Sequence, residues 1–323
     1  MKLSVVIPTY NEAKWLPRAL EMIGAALPKF EHEVLIIDDC STDGTPAILE
    51  YFHGKFPTII PIRRLTRGGT SSSRCMGAVV AKGDVICFLD AHVYPDPGFF
   101  DLMYTAAIEH PGSIITPGLT QHRLTDPWTP FADPRRGTNY GGGFTFACKK
   151  WWFYCSVNKH PKRWQKRRGS YACGMTMTRD TYDHLGGWTR LPGFWSSSDV
   201  TMCMKAWYLD VPILTETEAH HFHGIKGFGP HETPKWHEVI NRMYSAQVLF
   251  SPKVYKDFWM PAFMKRYGRH WSDKFEVILN SLTIKGEHDE FRSRINHTDD
   301  EFLNTMVYPR LDKYGVSHNP LED

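Results

Sequence analysis

Val85-Ile86-Cys87-Phe88-Leu89-Asp90-Ala91-His92 is a short apolar run ending in a carboxylate and, two residues on, an imidazole. A β-branched run of this length suits a strand buried on both faces of a parallel sheet. Three earlier runs have the same character: Leu3–Ile7, Val34–Ile37 and Ile59–Ile62. Helical signals separate them. Ala13 to Leu27 is the first. Thr45-Pro46 offers an N-cap followed by proline at the first helical position, opening a helix through about Phe52, and Ser71 to Ala81 reads as a third. This alternation predicts a doubly wound α/β layer architecture. Ligands gather at the carboxyl ends of strands in such sheets, so chemistry is expected in the polar residues after each strand.

From about residue 95 the pattern changes to loops rich in Pro, Gly and Trp, then further mixed elements. Arg123 to Gly143 is turn-dense, with Asp126-Pro127, Asp133-Pro134 and Gly141-Gly142-Gly143, and reads as a long loop. Lys149 to Arg168 holds eight Lys/Arg and no acidic residue. A solvated loop is the simpler reading; docking of an acidic acceptor or partner is the alternative. The last 50 or so residues look helical and polar.

At 323 residues the chain can bury a large core, as one big domain or one domain with an appendage. A net charge of +3 is too small to argue for nucleic acid. No stretch reaches the roughly 18 apolar residues of a spanning helix, and no basic, then apolar, leader precedes Leu3. Seven cysteines are scattered without CxxC pairs, which suggests reduced thiols and a cytoplasmic location. Aromatic residues are abundant, with 11 Trp; sugar-handling sites use aromatic faces, and large cores use them too.

In an extended backbone alternate side chains share a side, so Asp90 and His92 can bind one ion together. An oxygen ligand with an imidazole suits a divalent cation such as Mn2+ that also accepts phosphate oxygens and water. A departing diphosphate, which develops negative charge, needs such an ion. By itself the pair reads more simply as a strand-end Asp capping a turn beside an incidental His; its place after the fourth strand of an α/β pattern is what favours the ion. The first strand runs into Pro8-Thr9-Tyr10-Asn11-Glu12, and the second into Asp38-Asp39 and Asp43-Gly44. A carboxylate at the second strand end can accept from a pyrimidine N–H. Asp43 is given a mainly structural role as a turn residue. Arg67, in a flexible loop, is placed to reach a nucleotide. Arg74, in the next helix, serves either the ligand or a buried carboxylate.

Val5 to Ala13, Asp38-Asp39…Asp43 and Leu89-Asp90-Ala91-His92 resemble glycosyltransferase family 2. The DxH form is most similar to the polypeptide N-acetylgalactosaminyltransferases of that superfamily. Arg67-Gly68-Gly69 and Ser73-Arg74-Cys75-Met76-Gly77-Ala78 stand where those enzymes have REGL…SRxxGA. Gly186-Gly187-Trp188 followed by Trp195-Ser196-Ser197-Ser198-Asp199 resembles GG(Y/F)…WGGEN, and Ala219-His220-His221-Phe222-His223 resembles GHxFR. Asn241-Arg242…Ala246-Gln247-Val248…Tyr255-Lys256 resembles NxxRxAEVWMDxYK. The resemblance covers about residues 3 to 260.

It implies a GT-A fold, Rossmann-like in its nucleotide-sugar-binding layer, with one catalytic domain over 1–265 and a helical C-terminal extension over 266–323. It implies a metal-dependent transferase with Mn2+ or another divalent metal as cofactor and a UDP-sugar as donor. By position, Asp39 recognises uracil, Pro8 and Tyr10 line the nucleotide pocket, and Arg67 assists. Glu12, Ala91 and His223 join the donor site. Asp90 and His92 hold the metal, and His220 completes it, with His221 and His223 close enough for a shifted alignment. Trp195 sits under the donor sugar, and His223 to Glu232 is the mobile loop that closes over it. N-acetylgalactosamine leads as the sugar, and a protein Ser or Thr hydroxyl as the acceptor. Transfer to a glycan or lipid carrier in envelope synthesis is the alternative, and a nucleotide-sugar-binding protein without catalysis a minor one.

The departures bear on mechanism. The Glu of WGGEN is Ser198, its Asn is Asp199, and the Arg of GHxFR is His223. The lectin domain, stem and membrane anchor of the animal enzymes find no counterpart. Asp199 falls near the base of inverting family members, where a carboxylate deprotonates the acceptor hydroxyl. The resemblance favours retention of configuration.

Overall fold

The computed structural model describes residues 2–124, 126, 128, 131, 138–139, 142–145, 152–155, 162–226, 235–268 and 273–307. Its first half alternates β1 (Leu3–Thr9), α1 (Leu16–Ala26), β2 (His32–Asp38), α2 (Thr45–Lys55), β3 (Ile59–Arg63), α3 (Gly69–Val80) and β4 (Val85–Phe88). Side-chain alternation explains why these strands read as unbroken apolar runs. Leu3, Val5 and Ile7 face one core with Leu16, Leu20 and Ile23 of α1, while Val6 faces a second with Phe88 and Ala78. A strand buried on both sides has no polar face to show. The first helix starts at Leu16, three residues later than its apolar pattern suggests. Asn11 has φ 52, and the Asp43 carboxylate accepts from the Ala13 and Thr45 amides at 3.0 Å each, so this carboxylate ties two loop entries together.

The second half holds β5 (Val93–Pro95), α4 (Phe99–Glu109), β6 (Ile114–Leu124), β7 (Thr138–Asn139), β8 (Gly142–Thr145), β9 (Trp152–Cys155), β10 (Lys166–Arg167), β11 (Met175–Thr178), α5 (Arg179–His184), α6 (Ser198–Tyr208), β12 (Ile213–Lys226) and α7 (Lys235–Leu249). The main sheet runs β10-β12-β6-β11-β4-β1-β2-β3, with β5 on β12 and β7 on β6, while β8 and β9 form a separate pair. The run β4-β1-β2-β3 is uniformly parallel, and β6 and β12 make a further parallel pair. β11 lies antiparallel between β4 and β6, so the doubly wound expectation holds for the first half and gives way to a mixed sheet beyond it.

Pairing of β12 with β6 shifts between Glu216 and His220. Glu216 lies beside Pro117 and His220 beside Gly118, so three extra residues are accommodated there. An odd insertion reverses which residues share a face. His221 and His223 thereby continue the face of Glu216, and His220 turns to the other.

Part of the basic run is tied into the fold. Arg163 grips the Glu216 carboxylate through Nε and Nη2 at 3.0 and 2.7 Å, and Arg167 donates to Thr215 and Gln165. Residues 149–151 and 156–161 of that run lie outside the described residues, as does much of the turn-dense 123–143 stretch.

Helices α8 (Pro252–Val254), α9 (Met260–Tyr267), α10 (Asp273–Leu279), α11 (Leu282–Arg292) and α12 (Asp299–Phe302) follow. Trp259, Phe263, Phe275, Ile284, Phe291 and Phe302 join the same cluster as Val6 and Phe88, so the boundary expected at residue 265 does not coincide with a break in the core. No helix among the described residues is long and apolar enough to cross a membrane.

Asp299 fastens this extension. Its carboxylate accepts from Tyr208 Oη at 2.9 Å, the Ser251 amide at 2.8 Å and Arg292 Nη1 at 2.5 Å. Burial pushes the carboxyl up, but the donors at Ser251 and Arg292 outweigh it and hold it below the ordinary carboxylate range. A depressed carboxyl stabilises the fold above its unfolded pKa and loses that contribution as pH falls. Asp299→Ala should therefore cost about 2–4 kcal/mol in urea unfolding at neutral pH. The gap to wild type should narrow below about pH 4; a gap that widens there contradicts this account.

Candidate functional site

Asp90 follows β4 at the carboxyl end of the sheet. Arg74, on α3 and almost wholly buried, donates from Nη2 to Asp90 Oδ1 at 2.6 Å and from Nη1 to Ser198 Oγ at 2.9 Å. Its guanidinium also lies over the Trp188 ring, 5.1 Å from the centroid. Arg74 thus meets a carboxylate, that of the partly buried Asp90. Burial raises the Asp90 carboxyl, but Arg74, then His223 and His92, outweigh it and hold it far below the ordinary range. Asp90 is thus a firm carboxylate.

The second oxygen of Asp90 lies 3.4 Å from His223 Nε2. His223 is on β12 and His92 immediately precedes its partner strand β5, with ring centroids 5.0 Å apart and planes at 64°. His92 Nδ1 lies 3.1 Å from Glu12 Oε1. Glu12, expected at the donor site, thereby orients the imidazole of the DxH pair. His220 stands apart from this group. Its Nδ1 lies 2.8 Å from Asp96 Oδ2 and its Nε2 2.8 Å from Thr120 Oγ1, which occupies both ring nitrogens. His220 was expected to complete the metal set with Asp90 and His92; the structure places its ring on Asp96 and Thr120 and His223 beside Asp90, and the three-residue shift in β12 goes with that arrangement. His221 is fully buried against Phe99, with neither ring nitrogen hydrogen-bonded among the described residues.

Asp39 follows the second strand and is buried. Its oxygens accept from the Gly68 and Gly69 amides at 2.8 Å each, and Arg64 Nε lies 3.3 Å from Oδ1. It shapes the loop that presents Arg67. Gly69 has φ +82, and a Cβ there would come within 2.4 Å of Phe194 Cα, so only glycine fits this crossing. Arg67 lies between two rings, 3.8 Å from the Tyr10 centroid and 4.2 Å from that of Phe194. Pro8 is buried in β1, and Ala91 is buried in the turn between Asp90 and His92.

The Trp195–Asp199 block leads into α6. Trp195 is 58% exposed, a large aromatic face open at the site. Asn241 on α7, read from the sequence only as a family match, holds this loop. Its Nδ2 donates to the carbonyls of Gly193, Trp195 and Ser196 at 3.1, 2.9 and 3.0 Å, and its Oδ1 accepts from the Gly193 amide at 2.6 Å. His237 Nδ1 accepts from the Phe194 amide at 3.1 Å. His237 escaped the sequence reading because no motif contains it. Asp199 is half-buried, and its Oδ1 accepts from the Val200 amide at 2.9 Å. Burial leads in pushing its carboxyl above the ordinary range, with Asp90 adding to it against Arg74. Residues 227–234 of the segment expected to close over the donor lie outside the described residues.

A mixed sheet of this order, with a carboxylate and imidazoles gathered where β4 ends, is the GT-A glycosyltransferase fold. The chain is similar to a crystal structure of GalNAc-T7 with UDP, GalNAc and Mn2+ (TM-score 0.66, 17% identity, covering 96% of this chain and 58% of that one). It is also similar to Staphylococcus aureus TarS 1-349 in complex with UDP-GlcNAc (TM-score 0.52, 17% identity, 90% and 79%). Residues 4–184 match the model of glycosyl transferase family 2, and the chain belongs to that family. Polypeptide N-acetylgalactosaminyltransferase 3 of Taeniopygia guttata is 23% identical over 98% of this chain and 52% of its own length. Poly(ribitol-phosphate) beta-N-acetylglucosaminyltransferase TarS of Staphylococcus aureus is 35% identical over 29% of this chain and 17% of its own. The chain spans about half the length of the polypeptide N-acetylgalactosaminyltransferases it matches.

Ser196 (φ 82) and Ser197 (φ 71) both occupy the left-handed region, at the two positions where the resembling motif has glycine. The backbone here takes a shape that suits glycine, while both residues carry a Cβ. Left-handed geometry costs a residue with a Cβ roughly 1–2 kcal/mol, partly offset by the entropy glycine loses on folding. Ser196→Gly and Ser197→Gly should each stabilise the protein by about 0.5–1 kcal/mol in denaturant unfolding. A loss of stability in both would show that the loop is held otherwise.

Proposed function

We propose that this chain transfers a sugar from a UDP-sugar to a hydroxyl acceptor, with a divalent cation held at Asp90 and His223 and His92 beside them. The observation that carries the reading is the Asp90–His223 approach of 3.4 Å at the carboxyl end of β4, with Arg74 clamping the other oxygen. A firm carboxylate beside imidazoles, one oriented by Glu12, suits a cation that keeps positions for phosphate oxygens. When bound, the cation would neutralise charge on the departing diphosphate. Arg67, Tyr10 and the backbone around Pro8 form the wall for the base. Asp39 Oδ2 accepts one protein donor among the described residues and has a lone pair left for a uracil N3–H. Trp195 offers its exposed face to the sugar. The catalytic unit in this reading spans residues 1–265. Treatment with EDTA should abolish transfer and Mn2+ restore it. His223→Ala should weaken Mn2+ binding at least about tenfold. His220→Ala should leave Mn2+ affinity intact while costing about 1–3 kcal/mol of stability, since it strips partners from Asp96 and Thr120. The opposite pattern in calorimetry would return the ligand role to His220.

N-acetylgalactosamine and a protein hydroxyl acceptor rest on the similarity to the polypeptide N-acetylgalactosaminyltransferases, which spans nearly the whole chain. The second reading, transfer to a glycan or envelope polymer, rests on the higher identity to TarS over its shorter stretch. Asp199 separates the two stereochemical outcomes. Its raised carboxyl would bind an acceptor proton more strongly than an ordinary carboxylate, as a base requires. If it is the base, Asp199→Asn should cut turnover about a hundredfold with donor affinity unchanged. We take retention, on the several matching motif blocks, so Asp199→Asn should chiefly weaken donor binding. The coupling constant of the product's anomeric proton decides: a β linkage from an α-linked donor overturns retention.

A further inference from the structure

Among the described residues, three side chains that could hold a metal come together at one place: Asp90, His223 and Cys173, with ligand atoms all within 4.8 Å of one another. Sequence places them far apart, and sheet pairing unites them. β11 runs antiparallel to β4 with Met175 opposite Phe88, and the Gly174 amide donates to the Phe88 carbonyl at 2.6 Å. Ahead of Met175 the chain is a turn, closed by the Met175 amide on the Ala172 carbonyl at 3.2 Å, and that turn carries Cys173 to Asp90. Gly174 permits the approach: its φ is +88, and a Cβ there would come within 2.4 Å of Pro117.

Two other buried thiols have different partners. Cys75 donates to the Trp188 carbonyl at 3.0 Å, and Cys203 to that of Ser170 at 3.5 Å. Those two complete backbone hydrogen bonds, as a buried cysteine that behaves as a small core residue can do. Cys173 is equally buried, yet its sulfur faces a carboxylate and an imidazole. With metal–sulfur and metal–nitrogen distances of about 2.3 and 2.1 Å, the donors around one tetrahedral ion lie roughly 3.5 Å apart. From a spread of up to 4.8 Å, the cluster contracts by about 1 Å at its widest pair to reach that spacing.

We infer that Cys173 is a ligand at this site and that the site therefore takes a thiophilic divalent cation, such as Zn2+, Co2+ or Cd2+, more tightly than Mn2+. Thiolate is a soft ligand, poorly matched to Mn2+ and well matched to the later metals. On binding, the sulfur forms a bond to the cation and its proton passes to solvent, so no oxidant or reductant is involved. The inference rests on the cation reading of Asp90 and His223 and adds the sulfur.

The test is titration of the reduced, metal-free full chain with Co2+, followed by absorption. Visible d–d bands accompanied by a near-ultraviolet sulfur-to-cobalt charge-transfer band are expected. In Cys173→Ser the charge-transfer band should vanish while the d–d bands persist, and Cd2+ affinity should fall at least about tenfold with Mn2+ affinity unchanged. Circular dichroism checks that the variant folds, and the sulfur-to-cadmium band of the wild type provides a readout that needs no variant. Cobalt bands without charge transfer in the wild type overturn the sulfur ligand and leave the Asp90–His223 reading standing. Absence of any cobalt spectrum overturns both.

Discussion

Arg74 is the contact on which the arrangement of the site depends. Burying a guanidinium is costly unless charge and strong acceptors meet it. Here one arm takes Asp90 at the end of β4, and the other takes Ser198, 124 residues further along the chain, at the start of α6. The parallel half of the sheet and the loop carrying Trp195 and Asp199 are thereby held against the same cation. The pair also explains why Asp90 and Asp199 have opposite electrostatic states. Arg74 holds Asp90 far below the ordinary range, while Asp199, without a direct bond to that cation and beside Asp90, is pushed up after burial has raised it. Two carboxylates whose environments separate their proton affinities can serve as permanent charge and proton acceptor side by side.

What could be read from the sequence follows from how local each signal is. The four parallel strands were legible because burial on both faces makes them continuous apolar runs, and their turns carried the polar residues. Asp43 and Arg74 also declared themselves, one as a turn residue and the other through its place ahead of Asp90. The antiparallel insertion of β11 was not legible, since nothing in Met175–Thr178 states which strands it will join. The same non-locality hid Cys173, which the turn ahead of β11 brings to Asp90 only after β11 and β4 pair.

The histidines of β12 show a subtler limit. A period of two predicts which of His220, His221, Phe222 and His223 continue the face of the residues before them only if the pairing is unbroken. The irregularity between Glu216 and His220 breaks it. Motif position selects His220, but the shifted register sends that ring to Asp96 and Thr120 and brings His223 to Asp90. Sequence identity survives at such a site while the geometric assignment moves.

The loop after β1 and the start of α7 are joined by stacking. From Tyr10 the order runs through the Arg67 guanidinium, Phe194 and His237 to Trp236, with Phe194 and His237 centroids 4.5 Å apart and His237 and Trp236 3.6 Å apart. Asp39 fixes one end of this column through the Gly68 and Gly69 amides, and Asn241 fixes its middle through the Gly193–Ser196 backbone. Arg67 is thus presented by a rigid stack and not by a free loop, even though the loop's glycines suggest freedom. A stacked guanidinium stays cationic and keeps its edge donors available, which suits an in-plane acceptor such as a pyrimidine carbonyl or a phosphate. Pre-ordering of this kind lowers the entropy that ligand binding must otherwise offset, so the strain accepted at Ser196 and Ser197 is consistent with a loop shaped for its ligand more than for its own stability.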